Sequence, residues 1–399
     1  MNGPYRILYH HRIRADDGQA VHVRELIAAL REQGHTVHEC ALVPKTGERP
    51  AAATTGSRPT RRGFWQRLSL PRAATEVLEI LYDRAGRRRL LDAARELRPH
   101  FVYERHALHC RSGLDAARAL GVPLLLEVNS PMVTEMQRLG SLRFPARARA
   151  TERAVLGAAD AVLPVTQVLG DLLVAAGARR ERLHVIGNGA DPRRYDTGAI
   201  TAAGAVRARW ALPDGAFALG FVGYARPWHR LDLVLDVLAR PGFEAVVLML
   251  MGRGPAIEPL LQGAARRGLG ERVRSLGEVP PELLPPHVLA CDGALIPAIN
   301  DYASPLKLFD ALAAGVPTLA PDQPNLRENV QDGRTALLFR PGSADDLARQ
   351  LARLVQDRAF ARRLGAAGRA ALHEHEWTWA GNARRVAAVY AGLAAEGLR

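Results

Sequence analysis

The sequence predicts an α/β protein with two domains, each built on a parallel sheet. Short apolar runs alternate with amphipathic segments of helical period along the chain, an order typical of parallel strands joined by helices. The length of 399 residues is enough for two or three domains with separate cores. A turn-forming stretch, Asn-Gly-Ala-Asp-Pro at 188–192, divides the elements into two series. We therefore expect a ligand site in a cleft faced by the carboxyl ends of both sheets.

The first series begins with a strand at 5–9 and a helix at 21–33 that ends at Gly34. Residues 43–75 are rich in Pro, Gly, Thr and Arg, which predicts a long loop. The other elements predicted in this half are strands at 35–42, 101–103, 123–128, 161–164 and 183–186, and a basic helix at 78–97.

The second series repeats the alternation of strand and helix. Its predicted strands are 216–222, 245–251, 273–276, 293–296 and 318–321, and its predicted helices are 232–238, 256–267, 282–290, 305–314, 344–354 and 359–374. The chain is accordingly divided into a first domain at 1–190, a linker at 191–205 and a second domain at 206–375. Residues 376–399 are predicted to be a C-terminal helix that packs back on the first domain.

The most informative stretch is Ser-Pro-Leu-Lys-Leu-Phe-Asp, which begins at Ser304. Ser304 suits a helix cap and Pro305 the first helical position, so the free N–H groups of the helix start can attract an anion. Lys307 and Asp310 are three apart and can share a face. A lysine for phosphate beside a carboxylate for sugar hydroxyls indicates a nucleotide-sugar site. Lys307 is also one of only two lysines in an arginine-rich chain, which indicates that a compact ammonium is needed at this position. The alternative is a capped core helix with one solvated lysine.

Composition narrows the classes of partner and compartment. The formal charge is +13 with 54 basic residues, which favours anionic partners. The charge is diffuse and no recognition module is apparent, which argues against nucleic acid. Three widely spaced cysteines argue against disulfides and against a cysteine-rich zinc site. The start of the chain lacks a signal-peptide core and no apolar run reaches the roughly 18 residues of a membrane span. We therefore expect a cytoplasmic protein.

The ordered set of motifs resembles the retaining glycosyltransferases of family 4. These motifs are the Gly18 loop with the helix that carries His22, and the stretches at 159–166, 186–191, 221–224, 250–255 and 304–317. The stretches at 127–131, 227–229 and 304–307 look like the bacterial polysaccharide and natural-product branch. The resemblance implies the GT-B fold, in which two Rossmann-like α/β/α domains face each other across a cleft. It also implies that the first domain holds the acceptor and the second the nucleotide sugar.

The resemblance further implies which residues meet the donor. They are Gly18, Tyr224, Arg226, His229, Gly252, Gly254, Ser304, Pro305, Lys307, Leu308 and Asp310. Asp310 stands where the family usually has a Glu that holds the ribose hydroxyls. Three positions depart from the family: Tyr302 replaces an acid, and Tyr224 and His229 replace an Arg and a Lys. We expect Arg226, and after it Arg230 or His229, to supply the missing positive charge.

Polar residues at strand ends of the first half are the candidates on the acceptor side. Glu127 and Asn129 are predicted to act in catalysis with Lys307 and Arg226, and His106, Glu104 and Arg105 to contact the acceptor. Two alternatives stay open. Buried polar groups at strand ends also satisfy loop backbones, and Glu104 with Arg105 can be a simple neighbouring ion pair.

The implied reaction is transfer of a sugar from a nucleoside diphosphate, UDP or GDP, to an acceptor hydroxyl with retention at the anomeric carbon. No cofactor and no metal are expected, since Lys and Arg would neutralise the leaving diphosphate. The setting implied is polysaccharide, glycolipid or natural-product glycoside synthesis. The alternatives are a GT-B epimerase and a degenerate sugar-binding scaffold. The basic segment at 60–90, with Arg61, Arg62, Trp65, Arg67, Arg72, Arg84, Arg87, Arg88 and Arg89, suggests contact with the inner face of the membrane and a lipid-linked acceptor.

Overall fold

The computed structural model describes residues 3–15, 17–46 and 72–397. It divides into two compact units, Met1–Ile186 with Ala383–Arg399, and Gly187–Asn382. Each unit has one parallel sheet with helices between its strands, which confirms the predicted α/β class. None of the helices in the described part of the chain combines the length and the apolar character that a membrane span requires.

The first unit contains a five-stranded sheet in the order β2-β1-β3-β4-β5. Its strands are β1 (Arg6–His11), β2 (Thr36–Ala41), β3 (Phe101–Arg105), β4 (Leu124–Val128) and β5 (Ala161–Pro164). All of its strand pairs are parallel, and β1, at the second position, is buried along nearly its whole length. The strand predicted at 183–186 is wrong, because that stretch makes a single bridge between Val162 and Leu183.

Up to Ile186, the described part of the first unit contains six α-helices. They are α1 (Gly18–Glu32), α2 (Arg72–Leu97), α3 (Ser112–Leu120), α4 (Met132–Arg138), α5 (Pro145–Ala158) and α6 (Gln167–Ala176). Asp17 caps α1 by accepting the N–H of Gln19 at 3.0 Å, so this helix begins three residues before the predicted start. The helix predicted from residue 78 begins at Arg72.

The second unit contains a six-stranded sheet in the order β11-β10-β9-β6-β7-β8. Its strands are β6 (Phe217–Val222), β7 (Val246–Met251), β8 (Val273–Ser275), β9 (Gly293–Leu295), β10 (Thr318–Pro321) and β11 (Leu337–Phe339). Every pair is parallel. The sequence reading missed β11, whose three residues are too few to show a pattern. Phe217, Phe221 and Phe339 are fully buried in the core on this sheet.

The helices that follow residue 187 are α7 (Thr197–Arg209), α8 (Asp232–Leu238), α9 (Ile257–Arg266), α10 (Leu284–Leu289), α11 (Leu306–Ala314), α12 (Pro324–Arg327), α13 (Ala344–Gln356), α14 (Arg358–Glu374) and α15 (Trp379–Ala395). The stretch 191–205, predicted as a linker, instead contains the 3-10 turn Pro192–Tyr195 and most of α7. From Ala383 onward α15 belongs to the first unit. There the Tyr390 ring stacks on Phe101, with ring centroids 4.7 Å apart.

Candidate active site

The start of α11 differs by one residue from the sequence prediction. Pro305 is the cap residue and has extended backbone, and Leu306 is the first helical residue. Ser304 does not cap the helix, because its hydroxyl accepts the backbone N–H of Asn188 at 3.0 Å. The Asn188 side chain in turn donates to the Ser304 carbonyl. Ser304 therefore anchors the loop before α11 to the start of the second unit, and the prediction that it caps the helix is wrong.

Lys307 lies in the first turn of α11. Its Nζ is 4.0 Å from the centroid of the Phe221 ring at the end of β6, and a Cβ on Gly223 would lie 3.5 Å from Nζ. Among the described residues, none gives the Lys307 ammonium a hydrogen bond or an ion pair. Burial lowers the pKa of Lys307 to about 7. An anion beside it would restore the stability of the charged form.

The loops after β6 and β7 are joined backbone to backbone. Gly223 donates its N–H to the Met251 carbonyl at 2.9 Å, and Ala225 donates to the Arg253 carbonyl at 2.7 Å. Gly252 and Gly254 have φ of 148° and 143°, and a Cβ on Gly254 would lie 2.2 Å from the Ala225 oxygen. These glycines are therefore required for the close approach of the two loops, and the loop after β6 lies beside Lys307 at Gly223.

Arg226 is held between two aromatic rings on the loop after β6. Its guanidinium lies 4.8 Å from the Tyr224 ring centroid and 4.9 Å from that of Trp228. All three side chains are exposed. Contact with two aromatic rings restricts the guanidinium without using its N–H groups in an ion pair, which suits bidentate binding of a phosphate.

Of the two other predicted sources of positive charge, His229 is neutral and Arg230 is paired with an acid. His229 Nδ1 accepts the backbone N–H of Arg226 at 3.0 Å. Burial, followed by the charges of Lys307 and Arg226, lowers the pKa of His229 to about 3, so its ring is neutral. Arg230 is charged but pairs with Asp232 at 2.9 Å. The loop therefore offers one unpaired cation, Arg226, among the candidates predicted there.

Asp310 lies one turn beyond Lys307. Its Oδ1 accepts the hydroxyl of Tyr195 at 2.8 Å, and burial raises the pKa of this carboxyl. The side chain of Leu308 is fully buried in the core, so the predicted contact with the donor would have to come from its backbone. Tyr302 is 5% exposed and its hydroxyl accepts the Asn300 amide at 2.9 Å. The position that holds an acid in the family therefore has a structural side chain here.

In the first unit, Glu127 is the centre of a buried network. It is 2% exposed and accepts the Tyr103 hydroxyl at 2.7 Å and pairs with His22 at 3.0 Å. Arg105 and Asn129 also donate to it. Burial alone would raise the pKa of Glu127, but the charges of His22 and Arg105 and these hydrogen bonds hold it far below its usual range. Glu127 is thus an ionised anchor, which favours the structural alternative for it and for Asn129.

Glu104 and Arg105 do not form an ion pair, so that alternative is wrong. Successive residues of β3 point to opposite faces, and Glu104 pairs instead with His10 Nδ1 at 2.5 Å and accepts the N–H of Gly113 at 2.8 Å. His106 is 9% exposed, and burial lowers its pKa to about 4. The three predicted acceptor contacts are thus buried rather than open to a ligand.

His10, Glu104 and Cys110 offer ligand atoms that lie within 4.8 Å of one another. The 2.5 Å between His10 Nδ1 and Glu104 Oε2 is a hydrogen bond. Two ligands of one tetrahedral metal would be about 3.3 Å apart, given metal–ligand distances of about 2.0 Å. As arranged, the group is a hydrogen-bonded cluster, and the expectation that no metal is required stays a prediction.

A cavity of about 470 Å³ lies at the carboxyl ends of the first four strands. Its walls come from the segments that follow each strand: Arg12 and Arg14 after β1, Leu42 after β2, Ala107 and Leu108 after β3, and Met132, Met136, Leu139 and Ser141 after β4. Helix α2 closes it with Thr75, Glu76, Glu79 and Tyr82. None of these residues was a sequence candidate. The rule that ligands bind at strand carboxyl ends indicates the region, but not which side chains face it.

Gly18 is the first residue of α1 and is exposed. Asp17 already accepts the N–H of Gln19 at this helix start, and the predicted contact of Gly18 with the donor stays a prediction.

Two family models match the chain in sequence order. A model described as Glycosyltransferase Family 4 matches residues 17–194, and one described as Glycosyl transferases group 1 matches residues 204–371. The chain belongs to the family 4 glycosyltransferases. The two matched regions correspond to the two α/β units of this family 4 protein.

Curated relatives of this family 4 protein act on different acceptors by name. The D-inositol 3-phosphate glycosyltransferase of Nocardia farcinica is 31% identical to this protein over 261 residues. The aligned residues cover 58% of this chain and 56% of the relative. The 2-deoxystreptamine glucosyltransferase of Streptomyces kanamyceticus is 27% identical over 256 residues. These aligned residues cover 62% of this chain and 65% of that relative. The chain thus spans less than two thirds of the length of either relative.

A solved structure extends the comparison to nearly the whole chain. HepE of Anabaena, solved in complex with UDP, superposes with a TM-score of 0.70 at 18% identity and covers 97% of this chain and 100% of its own. This likeness confirms the predicted GT-B fold.

Proposed function

We propose that this family 4 protein is a retaining glycosyltransferase that moves a sugar from a nucleoside diphosphate to an acceptor hydroxyl. The observation that carries the proposal is Lys307. Its side chain is half-buried at the start of a helix, and no anion among the described residues pairs with the ammonium. Such an arrangement suits a phosphate, which pairs with the ammonium and meets the amide groups of the first turn.

We infer a division of work among the residues around Lys307. Lys307 and Arg226 stabilise the charge that develops on the leaving diphosphate. Asp310 accepts the ribose hydroxyls, with Tyr195 holding one of its oxygens in place. The glycine loops let backbone come close to the nucleotide. Two cations and helix amides can neutralise the diphosphate, so the proposed reaction needs no metal.

Retention is proposed to follow a front-side route, in which the leaving phosphate oxygen takes the acceptor proton. Glu127 is unsuited to act as a nucleophile or base, because its carboxylate is enclosed by donors and holds its charge. A strong protein base is not needed on this route. The anomeric configuration of the product, measured by NMR coupling constants, tests it, since inversion would contradict the proposal.

UDP is the proposed nucleotide, with GDP as the second choice. The solved structure of Anabaena HepE contains UDP, which supports a uridine donor for a protein of this fold. The curated relatives carry transferase names, which favours sugar transfer over the epimerase. An epimerase would turn over the donor with no acceptor present, and a scaffold would bind it without turnover.

We also propose a cytoplasmic enzyme at the inner membrane face that acts on a lipid-linked hydroxyl acceptor. Support comes from Arg84, Arg87, Arg88 and Arg89, which are exposed on α2. Arg61, Arg62, Trp65 and Arg67 lie outside the described residues, as does the side chain of Arg72. Binding to anionic lipid vesicles at physiological salt tests this setting, and binding only at low salt would contradict it.

The deciding experiment is calorimetric binding of UDP, GDP, TDP and ADP. We expect one diphosphate to bind and Lys307→Ala to lose it. Lys45→Ala is the matched control, because it removes the other lysine, whose Nζ donates to the Arg14 carbonyl at 3.0 Å in the first unit. If none of the four binds to the wild-type protein, the transferase proposal fails. The alternative of a scaffold that binds a nucleotide sugar then has no support from binding either.

A further inference from the structure

The cavity at the carboxyl ends of β1 to β4 has an apolar wall that no other part of the described chain covers. Met132 and Met136 on α4 and Leu108 after β3 are half-buried, and Leu139 is 65% exposed. Its volume of about 470 Å³ lies within the range of about 300–1,000 Å³ that small-molecule sites have. Unbranched methionines adapt their shape to varied apolar ligands.

The polar side of the same cavity is formed by α2 and the segment after β1. Arg12 is fixed there: it pairs with Asp83 at 2.8 Å, donates to the Glu79 carbonyl at 3.2 Å and lies 5.0 Å from the Tyr82 ring centroid. Because Asp83 already neutralises Arg12, this guanidinium offers little charge to a ligand. Glu76 is likewise occupied, by His109 and by two backbone N–H groups.

Glu79 is the exception. Within the described residues its carboxylate makes no hydrogen bond or ion pair, although it is half-buried at the cavity wall. Burial raises the pKa of Glu79. Its oxygens are not among the buried atoms that lack a partner, so they are open to a donor that enters the cavity. A ligand hydroxyl would supply one.

We propose that this cavity binds the apolar body of the acceptor, with an uncharged hydroxyl group donating to Glu79. The proposal rests on the proposed glycosyl transfer and names the chemical class of its acceptor. An apolar body that carries sugar hydroxyls has two sources, an alkyl chain from a membrane lipid and a ring system from a soluble glycoside. A small polyanion such as inositol phosphate lacks the apolar part that would cover Met132, Met136 and Leu139.

The test measures binding to the full chain by calorimetry, without a sugar donor. The probes are decyl β-D-glucopyranoside below its micelle concentration, 2-naphthyl β-D-glucopyranoside, glucose and myo-inositol 1-phosphate. We expect one or both of the apolar glycosides to bind at least about tenfold more tightly than glucose, since burial of several methylene groups is worth that much. The decyl compound stands for a lipid source and the naphthyl compound for a soluble one.

Met136→Gln and Leu139→Gln should each weaken binding of the preferred glycoside about tenfold, and Glu79→Gln should weaken it less. Leu172→Gln is the matched control, because Leu172 is an exposed leucine of the same unit that does not line the cavity. Leu172→Gln should leave binding unchanged. Thermal unfolding of each variant shows whether it folds.

UDP binding is measured on the same samples and separates the two proposals. If UDP binds but neither apolar glycoside does, the acceptor class is wrong while the transferase stands. The acceptor class is also overturned if myo-inositol 1-phosphate binds best. It is overturned as well if Met136→Gln and Leu139→Gln bind the glycosides as tightly as the wild type does. If the glycosides bind and UDP does not, the cavity is a ligand site and the proposed transferase fails.

Discussion

The ammonium nitrogen of Lys307 lies 4.0 Å from the centroid of the Phe221 ring. The contact joins the first turn of α11 to the end of β6, and the aromatic face offsets part of the cost of burying a charge. The offset is incomplete, because burial still lowers the pKa of Lys307 to about 7. A bound diphosphate would therefore find a cation that the described residues have not neutralised.

UDP affinity should fall as the pH rises from about 7 to about 9, because Lys307 loses its proton in the free protein over that range. A bound diphosphate raises the pKa of Lys307, so binding should take up a proton there. Calorimetry in buffers with different ionisation enthalpies measures the uptake. Lys307→Arg keeps its charge throughout, and a pH dependence that persists in this variant would contradict the assignment.

Arg226→Ala should weaken UDP binding by about 10- to 100-fold, since a charge-assisted hydrogen bond is worth about 1.5–3 kcal/mol. Arg230→Ala is the matched control on the same loop. Its side chain is taken up by Asp232, so we expect a change of less than about threefold. Titration calorimetry measures the UDP affinity of both variants. Equal losses of affinity would mean that Arg226 contributes only long-range positive charge and no direct contact with the phosphate.

Gly254→Ala should destabilise the second unit by about 2 kcal/mol or more and abolish UDP binding. The new Cβ would lie 2.2 Å from the Ala225 oxygen, and φ is 143°. Gly268→Ala is the control that has backbone strain without a steric clash, because φ is 69° there and nothing lies within 4 Å of the new Cβ. That control should cost about 1 kcal/mol. Urea unfolding measures both, and equal costs would contradict the close packing of the two loops.

Glu127→Gln should destabilise the protein by roughly 3–5 kcal/mol at neutral pH, because it leaves the buried Arg105 without its counter-charge. The native pKa of Glu127 lies below its ordinary value of 4.5. The stability it contributes is therefore present above about pH 4.5 and is lost as the pH falls towards the native pKa. The difference between variant and wild type should narrow in acid.

Urea unfolding at several pH values measures this difference. Glu96→Gln, at an exposed glutamate of α2, should change stability by less than about 0.5 kcal/mol at any pH. A Glu127→Gln variant as stable as wild type at neutral pH would show that Glu127 is not the ionised anchor of its network.

Removal of divalent cations should leave transfer activity unchanged, since Lys307 and Arg226 are proposed to neutralise the diphosphate. The measurement is the transfer rate after treatment with EDTA and after re-addition of Mg²⁺ or Mn²⁺. A loss that either metal restores would contradict the proposal, and would direct attention to His10, Glu104 and Cys110 as a site to test by substitution.

Sequence reasoning located most of the elements and the donor region, because these depend on local patterns. Apolar runs of strand length predicted β6 and β7, and the lysine-containing stretch predicted α11. Its boundaries were less accurate. Ser304 has the side chain of a cap, yet Asn188 competes for its hydroxyl, and a partner 116 positions away is invisible to a local pattern.

The sequence by itself determined the two α/β units, the family and the position of Lys307 at a helix start, since periodicity and motif order are written along the chain. Only the tertiary structure decided the state of each side chain. It made His229 neutral, placed Leu308 in the core and enclosed Glu127 with donors, because burial and partners distant in sequence determine charge and access. The cavity beside Glu79 is likewise a product of four strand ends meeting at one edge of a sheet.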